Sequence, residues 1–293
     1  MILNLAYPDK SQIKFKRTMF PDGQQTIDLS NPDVLGEKIS RGGSSIETEP
    51  IQIYSRFESF KDLELIICAN QALLEFGCRN IHLYTPYFLG ARSDRKFQDG
   101  GINYLKTVIC PIINSQNFKS VTVLDPHSDV IEACLNNFVG IPNLDFASNV
   151  LKTQEFTQNI SRNVVLVSPD AGALKKVFKI QQKFGIENII IGSKNRDIKG
   201  QITHTSISGM TPELSDKTFV IFDDICDGGR TFIELAKVIK EEYPNAKIVL
   251  AITHGLFTKG IAAVAEYFDH IYTTDSIIAR GSDENFTTLK VYE

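Results

Sequence analysis

The run from Phe219 to Phe232 constrains the fold of this chain more than any other stretch. Phe219–Phe222 is apolar and β-rich and reads as a buried strand. Three carboxylates follow, Asp223, Asp224 and Asp227, and then Gly228, Gly229, Arg230 and Thr231. From Phe232 to Tyr243 the apolar residues Leu235, Ala236, Val238 and Ile239 recur at helical spacing. A strand that passes through a glycine-containing loop into a helix brings backbone N–H groups and a helix N-terminus to one small volume, which suits a phosphate. Acids at the C-terminal end of a parallel strand stand where open α/β sheets bind ligands. They repel a phosphate and suit ribose hydroxyls or a divalent metal. The same residues also describe a helix start whose acids favour the dipole, with no ligand at all.

The rest of the chain repeats this strand–helix rhythm. Strands are expected at 2–6, 50–55, 80–85, 120–125, 163–168, 188–192, 246–253, 270–274 and 287–292. Helices are expected at 59–76, where Ser59 caps and Gly77 closes, and at 101–113, 129–138, 174–184 and 260–267. The pattern predicts an α/β chain with two similar domains, each a mostly parallel sheet flanked by helices. The junction is expected near 140–150, with domains at 1–143 and 144–293. Residues 30–50 read as a polar loop or a partner-facing excursion, and 199–208 as a flexible flap.

The 293 residues allow two domains of ordinary size, and 42% hydrophobic content supplies their cores. A net charge of −4 gives no footprint of a nucleic-acid binder, and no apolar run reaches membrane-spanning length. The start lacks the basic region and cleavage site of a signal peptide. Five scattered cysteines with no CxxC pair fit a reducing, cytoplasmic setting. Cys226 reads as a partly exposed filler of the loop.

Five further blocks carry chemistry. Phe20-Pro21-Asp22-Gly23-Gln24 is a turn by composition, and a surface hairpin is its plain reading. Arg92, Ser93, Asp94, Arg95 and Lys96 follow a strand, and their cations suit a polyphosphate or a solvated turn equally. Asp125 ends a strand and His127 lies two residues on, as a ligand pair or a structural loop. Lys194 and Arg196 follow another strand, and a separation of two in an extended segment places both on one face. Asp170 ends the strand at 163–168.

In this order the blocks resemble the ribose-phosphate pyrophosphokinases (PRPP synthetases), which have the type I phosphoribosyltransferase fold. The resemblance runs from about Phe20 to Thr274. The family has Phe-x-Asp-Gly-Glu where this chain has Gln24, and Ala-Arg-Gln-Asp-Arg where it has Ser93. Asp-x-His-Ser, Pro-Asp-x-Gly, Lys-x-Arg and Thr-His-Gly-x-Phe are matched at Asp125–Ser128, Pro169–Gly172, Lys194–Arg196 and Thr253–Phe257. The phosphate loop departs: Asp-Thr-x-Gly-Thr becomes Asp227-Gly228-Gly229-Arg230-Thr231, which loses a hydroxyl and gains a guanidinium.

The resemblance implies transfer of the β,γ-diphosphate of magnesium-bound ATP to the anomeric hydroxyl of ribose 5-phosphate, giving PRPP and AMP. It implies that Lys194 and Arg196 stabilise the moving charge and that Asp223 and Asp224 hold ribose hydroxyls. Residues Asp227–Thr231 would cradle the 5-phosphate, and His127, Asp125 and Asp170 would help hold Mg2+. Phe20, Asp22, Gln24, Arg92, Ser93, Asp94 and Arg95 would hold ATP. Residues 1–143 become the ATP side and 144–293 the ribose-phosphate side, the last strand returning to the first domain. A homo-oligomer, dimer or larger, is implied by a hairpin that enters a neighbour's nucleotide site. Arg230 leaves ADP-ribose open as the acceptor. A PRPP-consuming phosphoribosyltransferase and an inactive regulatory subunit are the other readings.

Overall fold

The computed structural model describes residues 1–30, 36, 45–153, 156, 159–196, 202–277 and 281–292. The chain divides into two compact units, Met1–Ile141 with Tyr292–Glu293, and Pro142–Val291. Most of the 30–50 excursion and residues 199–201 of the expected flap lie outside the described residues, and the remainder of that flap, Ile202–Ser208, is a strand.

The first unit runs β1 (Ile2–Asn4), β2 (Phe15–Met19), β3 (Gln25–Leu29), β4 (Ile51–Tyr54), α1 (Phe60–Glu75), β5 (Ile81–Tyr84), α2 (Cys110–Asn114), β6 (Ser120–Leu124), α3 (Val130–Cys134) and β7 (Phe138–Ile141). Its main sheet has the order β1-β4-β5-β6-β7, every neighbouring pair parallel. β2 and β3 form a separate antiparallel hairpin. Ile51, Ile53, Leu83, Val121 and Val123 pack with Leu63, Ile66 and Leu73 of α1 in one core. Each such side chain contributes about 1.5–3 kcal/mol by leaving water. α1 begins at a capping box: Ser59 Oγ accepts from the Asp62 N–H, and Asp62 Oδ2 accepts from the Ser59 N–H at 2.8 Å.

Two expectations need correction here. The helix expected from Gly101 starts at Tyr104, just after Asn103, whose Oδ1 accepts the Lys106 N–H at 2.9 Å. Residues Leu105–Ile109 form a wide turn closed from the Cys110 N–H to Leu105 O, just before Pro111, which has no N–H to donate. The helix expected at 129–138 ends at Cys134, and Phe138 instead opens the edge strand β7, paired with β6 from Val121↔Phe138 to Leu124↔Ile141.

The second unit runs α4 (Asn143–Leu151), α5 (Ile160–Asn163), β8 (Val164–Ser168), α6 (Leu174–Phe184), β9 (Asn188–Arg196), β10 (Ile202–Ser208), β11 (Thr218–Cys226), α7 (Arg230–Glu242), β12 (Lys247–Gly255), α8 (Ala262–Ala265), β13 (His270–Thr274) and β14 (Phe286–Leu289). Its sheet has the order β10-β9-β8-β11-β12-β13-β14. Only β10 runs antiparallel, folding back on β9. Ile221, Leu250 and Ile252 pack with Leu235 and Ile239 of α7 on one face. Leu166, Val220 and Val249 pack with Val177 and Ile180 of α6 on the other. Burial on both faces is why these strands read as continuous apolar runs.

β11 is longer than its apolar stretch suggests. It keeps its ladder with β12 through Asp223↔Ile252 to Cys226↔Gly255, so Asp223 and Asp224 are strand residues, not loop residues. The last strand ends at Leu289, and Tyr292 belongs to the first unit. There Tyr292 is 1% exposed, and its hydroxyl donates to Ser55 O at 3.3 Å. Among the described residues no helix is long and apolar enough to cross a membrane.

Candidate active site

In the second unit the singled-out residues gather at the C-terminal edge of the sheet. β11 ends at Cys226, and Gly229, with φ 78°, caps the start of α7. A side chain resists that backbone conformation. A Cβ at Gly229 would also lie 2.6 Å from Val264 Cγ2. Gly229→Ala is therefore expected to cost about 1–3 kcal/mol. A lowered denaturation midpoint would register the cost, and a variant as stable as the parent would refute this tight fit. The N–H groups of Phe232 and Ile233 donate to Gly229 O, both at 3.0 Å, and the positive end of α7 favours an anion at this loop.

The loop is stitched to the segment after β12. The N–H groups of Leu256 and Phe257 donate to Cys226 O at 2.9 and 3.2 Å, and that of Thr258 donates to Asp227 O at 3.1 Å. Thr258 Oγ1 donates to Asp227 Oδ1 at 2.6 Å. Cys226 is 0% exposed, and burial, then the charges of Asp227 and Asp223, push its thiol up to about 12. The expected partial exposure is thus corrected, and the thiol is no nucleophile.

Asp223 and Asp224 have different surroundings. Asp224 is buried, and its Oδ2 lies 3.6 Å from Lys176 Nζ on α6. Asp223 Oδ1 accepts the Asp224 N–H at 2.9 Å. Burial first, then the neighbouring Asp224 carboxylate and more weakly Asp170, hold Asp223 well above the usual carboxylate range. Asp170 Oδ1 accepts the N–H groups of Gly172 and Ala173 at 3.0 and 3.2 Å, ahead of α6.

The carboxylates of Asp170, Asp223 and Asp224 are hard oxygen donors of the kind that Mg2+ takes. Among the described residues no three His, Cys, Asp or Glu form a cage for a metal. One or two carboxylates, with substrate oxygens and water completing the shell, is how Mg2+ is commonly held.

β9 runs beside β8 as far as Ser168↔Ile191 and continues to Arg196. Lys194 and Arg196 therefore belong to a strand that extends past the end of β8, where Asp170 follows. Their side chains lie outside the described residues. Gly192 makes the passage possible: a Cβ there would be 2.9 Å from Pro169 O and 2.8 Å from Leu235 Cδ2.

In the first unit two loops meet. Ser128 Oγ donates to Asp94 Oδ2 at 2.6 Å, joining the chain after β6 to the basic segment after β5. Arg92 and Arg95 are exposed, and Arg95 Nε is 3.9 Å from Asp94 Oδ1. The Ser93 N–H donates to Gly90 O at 2.8 Å. His127 is exposed. Asp125 is buried, has φ 43°, and donates its N–H to Ile141 O at 2.7 Å, so it holds the turn that presents His127. The hairpin exposes Phe20, Asp22 and Gln24 at its tip, where the Gln24 N–H donates to Asp22 Oδ1 at 3.1 Å. Gln25 anchors it to α1, donating Nε2 to Lys61 O at 2.8 Å.

The second unit thus brings together Asp170, Asp223, Asp224 and the loop from Asp227 to Thr231, and the first brings together Arg92–Arg95 and His127. Three residues escaped the sequence reading. Lys176 had a faint signal, as a cation in the first turn of the helix after Asp170. Thr258 and Lys259 had none, because only the fold lays their turn against Asp227 and Gly228. Chemically, an anion-binding loop beside hydroxyl-binding acids is a receptacle for a sugar phosphate.

Residues 147–288 match the model of the phosphoribosyl transferase domain. A ribose-phosphate pyrophosphokinase from Marinomonas sp. (strain MWYL1) is 24% identical over 274 residues, covering 93% of this chain and 84% of that protein. One from Maricaulis maris (strain MCS10) is 30% identical over 200 residues, covering 67% of this chain and 60% of that protein. The crystal structure of phosphoribosylpyrophosphate synthetase from Mycobacterium smegmatis superposes with a TM-score of 0.77 at 15% identity, covering 97% of this chain and 88% of that one. That likeness is one of fold.

Proposed function

We propose, since the chain belongs to the ribose-phosphate pyrophosphokinase family, a family of transferase enzymes, that it makes PRPP and AMP from ATP and ribose 5-phosphate. The anomeric oxygen attacks the β-phosphorus of ATP. The bond from that phosphorus to the α–β bridging oxygen breaks, AMP leaves, and the hydroxyl proton passes to solvent. Such a transfer spreads negative charge over the moving oxygens, so catalysis is mainly positioning and charge stabilisation.

The observation that carries this reading is the junction of β11 and α7, where an anion loop adjoins the crowded Asp223. Asp227–Thr231 take the 5-phosphate on backbone N–H groups. Asp223 and Asp224 accept from ribose hydroxyls, and Asp170 in the second unit, with His127 and Asp125 in the first, would help hold Mg2+. The metal would supply counter-charge to the polyphosphate. Lys194 and Arg196 neutralise the transferred diphosphate. Arg92 and Arg95 bind ATP phosphates, with Asp94 and Ser93 shaping their loop and Asp125 the turn of His127. Phe20, 45% exposed, with Asp22 and Gln24, serves the nucleotide site of a second copy, so the working form is at least a dimer.

Mass spectrometry of products from Mg-ATP and ribose 5-phosphate tests the reading. PRPP and AMP in equal amounts are expected. AMP-free mixtures that consume added PRPP would indicate a phosphoribosyltransferase instead, and no reaction with either would indicate an inactive subunit. One observation favours a second acceptor class: Arg230 and Lys259 place two cations around the loop, which suits the diphosphate of ADP-ribose. The same assay run with ADP-ribose separates the acceptors by product mass.

A further inference from the structure

The geometry points to Lys259 as a specificity-determining residue that binds the 5-phosphate of the acceptor, standing in for a side chain that Gly228 lacks. This rests on the reading of the β11–α7 loop as the ribose-phosphate site. A Cβ at Gly228 would be 3.4 Å from both Cδ and Cε of Lys259 and 3.5 Å from its Cγ. The lysine stem therefore lies across the loop in van der Waals contact, and the ammonium follows one bond, about 1.5 Å, beyond Cε.

The turn that carries Lys259 is fixed. The N–H groups of Leu256, Phe257 and Thr258 donate to Cys226 O and Asp227 O, and the Gly260 N–H closes the turn on Phe257 O at 2.8 Å. Phe257 is 3% exposed and anchors it in the core. Lys259 itself is exposed, and among the described residues no carboxylate forms an ion pair with it. Thr258 Oγ1 occupies Asp227 Oδ1, and Lys176 pairs with Asp224. Charge balance gives the free cation its work. A phosphate dianion entering this loop meets Asp227 and Asp223 nearby, and the ammonium of Lys259 offsets that repulsion.

A Cβ at 228 would meet the stem of Lys259 at ordinary contact distance, so only a longer side chain there would displace the lysine and couple the two positions.

Steady-state kinetics of the full chain with Mg-ATP, together with calorimetric binding of ribose 5-phosphate alone, test this. Lys259→Ala is expected to raise the KM and Kd for ribose 5-phosphate about 10- to 100-fold, as for a lost charged hydrogen bond. The KM for ATP should stay within about twofold, since the residue is assigned to the acceptor alone. Lys259→Arg should recover most of the loss. Gly228→Thr should also weaken the acceptor, and Gly228→Thr with Lys259→Gly should be better than either single change. An unchanged Kd and KM for ribose 5-phosphate in Lys259→Ala, with an active parent, would overturn this inference alone. A parent that neither binds nor turns over ribose 5-phosphate would overturn the proposed function and this inference with it.

Discussion

Lys194→Ala is expected to lower kcat about 10²- to 10³-fold, the cost of removing one preorganised charge from a transition state that needs it. The KM values for ATP and ribose 5-phosphate should change far less, because the charge it meets develops during transfer. Arg196→Ala should behave in the same way. The two should be less than additive if they act on the same phosphoryl oxygens. Lys194 belongs to β9, whose neighbour β8 leads directly into the turn of Asp170. At Lys194 the strand has passed the end of β8 and is paired with β10 alone, opposite Thr205. Single-turnover measurement with saturating substrates is the direct check. A variant that keeps kcat within about twofold would remove Lys194 from the chemical step, since a transition-state charge is worth far more than that.

Asp223→Asn should do two opposite things. Activity should fall about 10- to 150-fold, as for a lost charged hydrogen bond to a ribose hydroxyl. The metal-free protein should become more stable at neutral pH, by about 0.5–2 kcal/mol, the usual scale when a strained functional group is relieved. The direction follows from its titration. Burial and the neighbouring carboxylates raise the folded-state value of Asp223 above the unfolded one. Its contribution is therefore fully present below about pH 3.9, the unfolded value. It is lost as pH rises through the folded value, when the group must ionise beside Asp224 and Asp170. The asparagine variant escapes that loss and keeps an acceptor for the Asp224 N–H, which Asp223 Oδ1 now takes at 2.9 Å. Thermal melts of both proteins from pH 4 to 8 in chelator should diverge as pH rises. Curves that stay parallel would mean that Asp223 is not strained.

Much of the fold was legible because the strands are apolar on both faces. Val164–Ser168 and His270–Thr274 fall within one residue of where their composition places them. α6 spans Leu174–Phe184 as its periodicity indicates, and α1 starts after the serine that caps it. β7 and α4 were not legible. Phe138–Ile141 contains a glycine and is half exposed at the edge of its sheet, so it lacks a buried run. Asn143–Leu151 follows a proline and is short enough to pass for a linker.

By itself the sequence determined the local grammar of the site: an apolar run, then acids, then glycines, then an amphipathic helix. Those features act between chain neighbours, through strand burial, backbone freedom and helix periodicity, so they need no partner to be read. It also brought the distant blocks into a recognisable order. Only the tertiary structure decided what each charge faces. Asp224 is tied to Lys176 and Asp94 to Ser128, while Asp223 has carboxylates as its nearest charges. Lys259 reaches Gly228 because a turn after β12 is hydrogen-bonded to the end of β11. Coulomb energy and desolvation depend on distances between groups far apart in sequence, and those distances exist only after the sheet has aligned its strands.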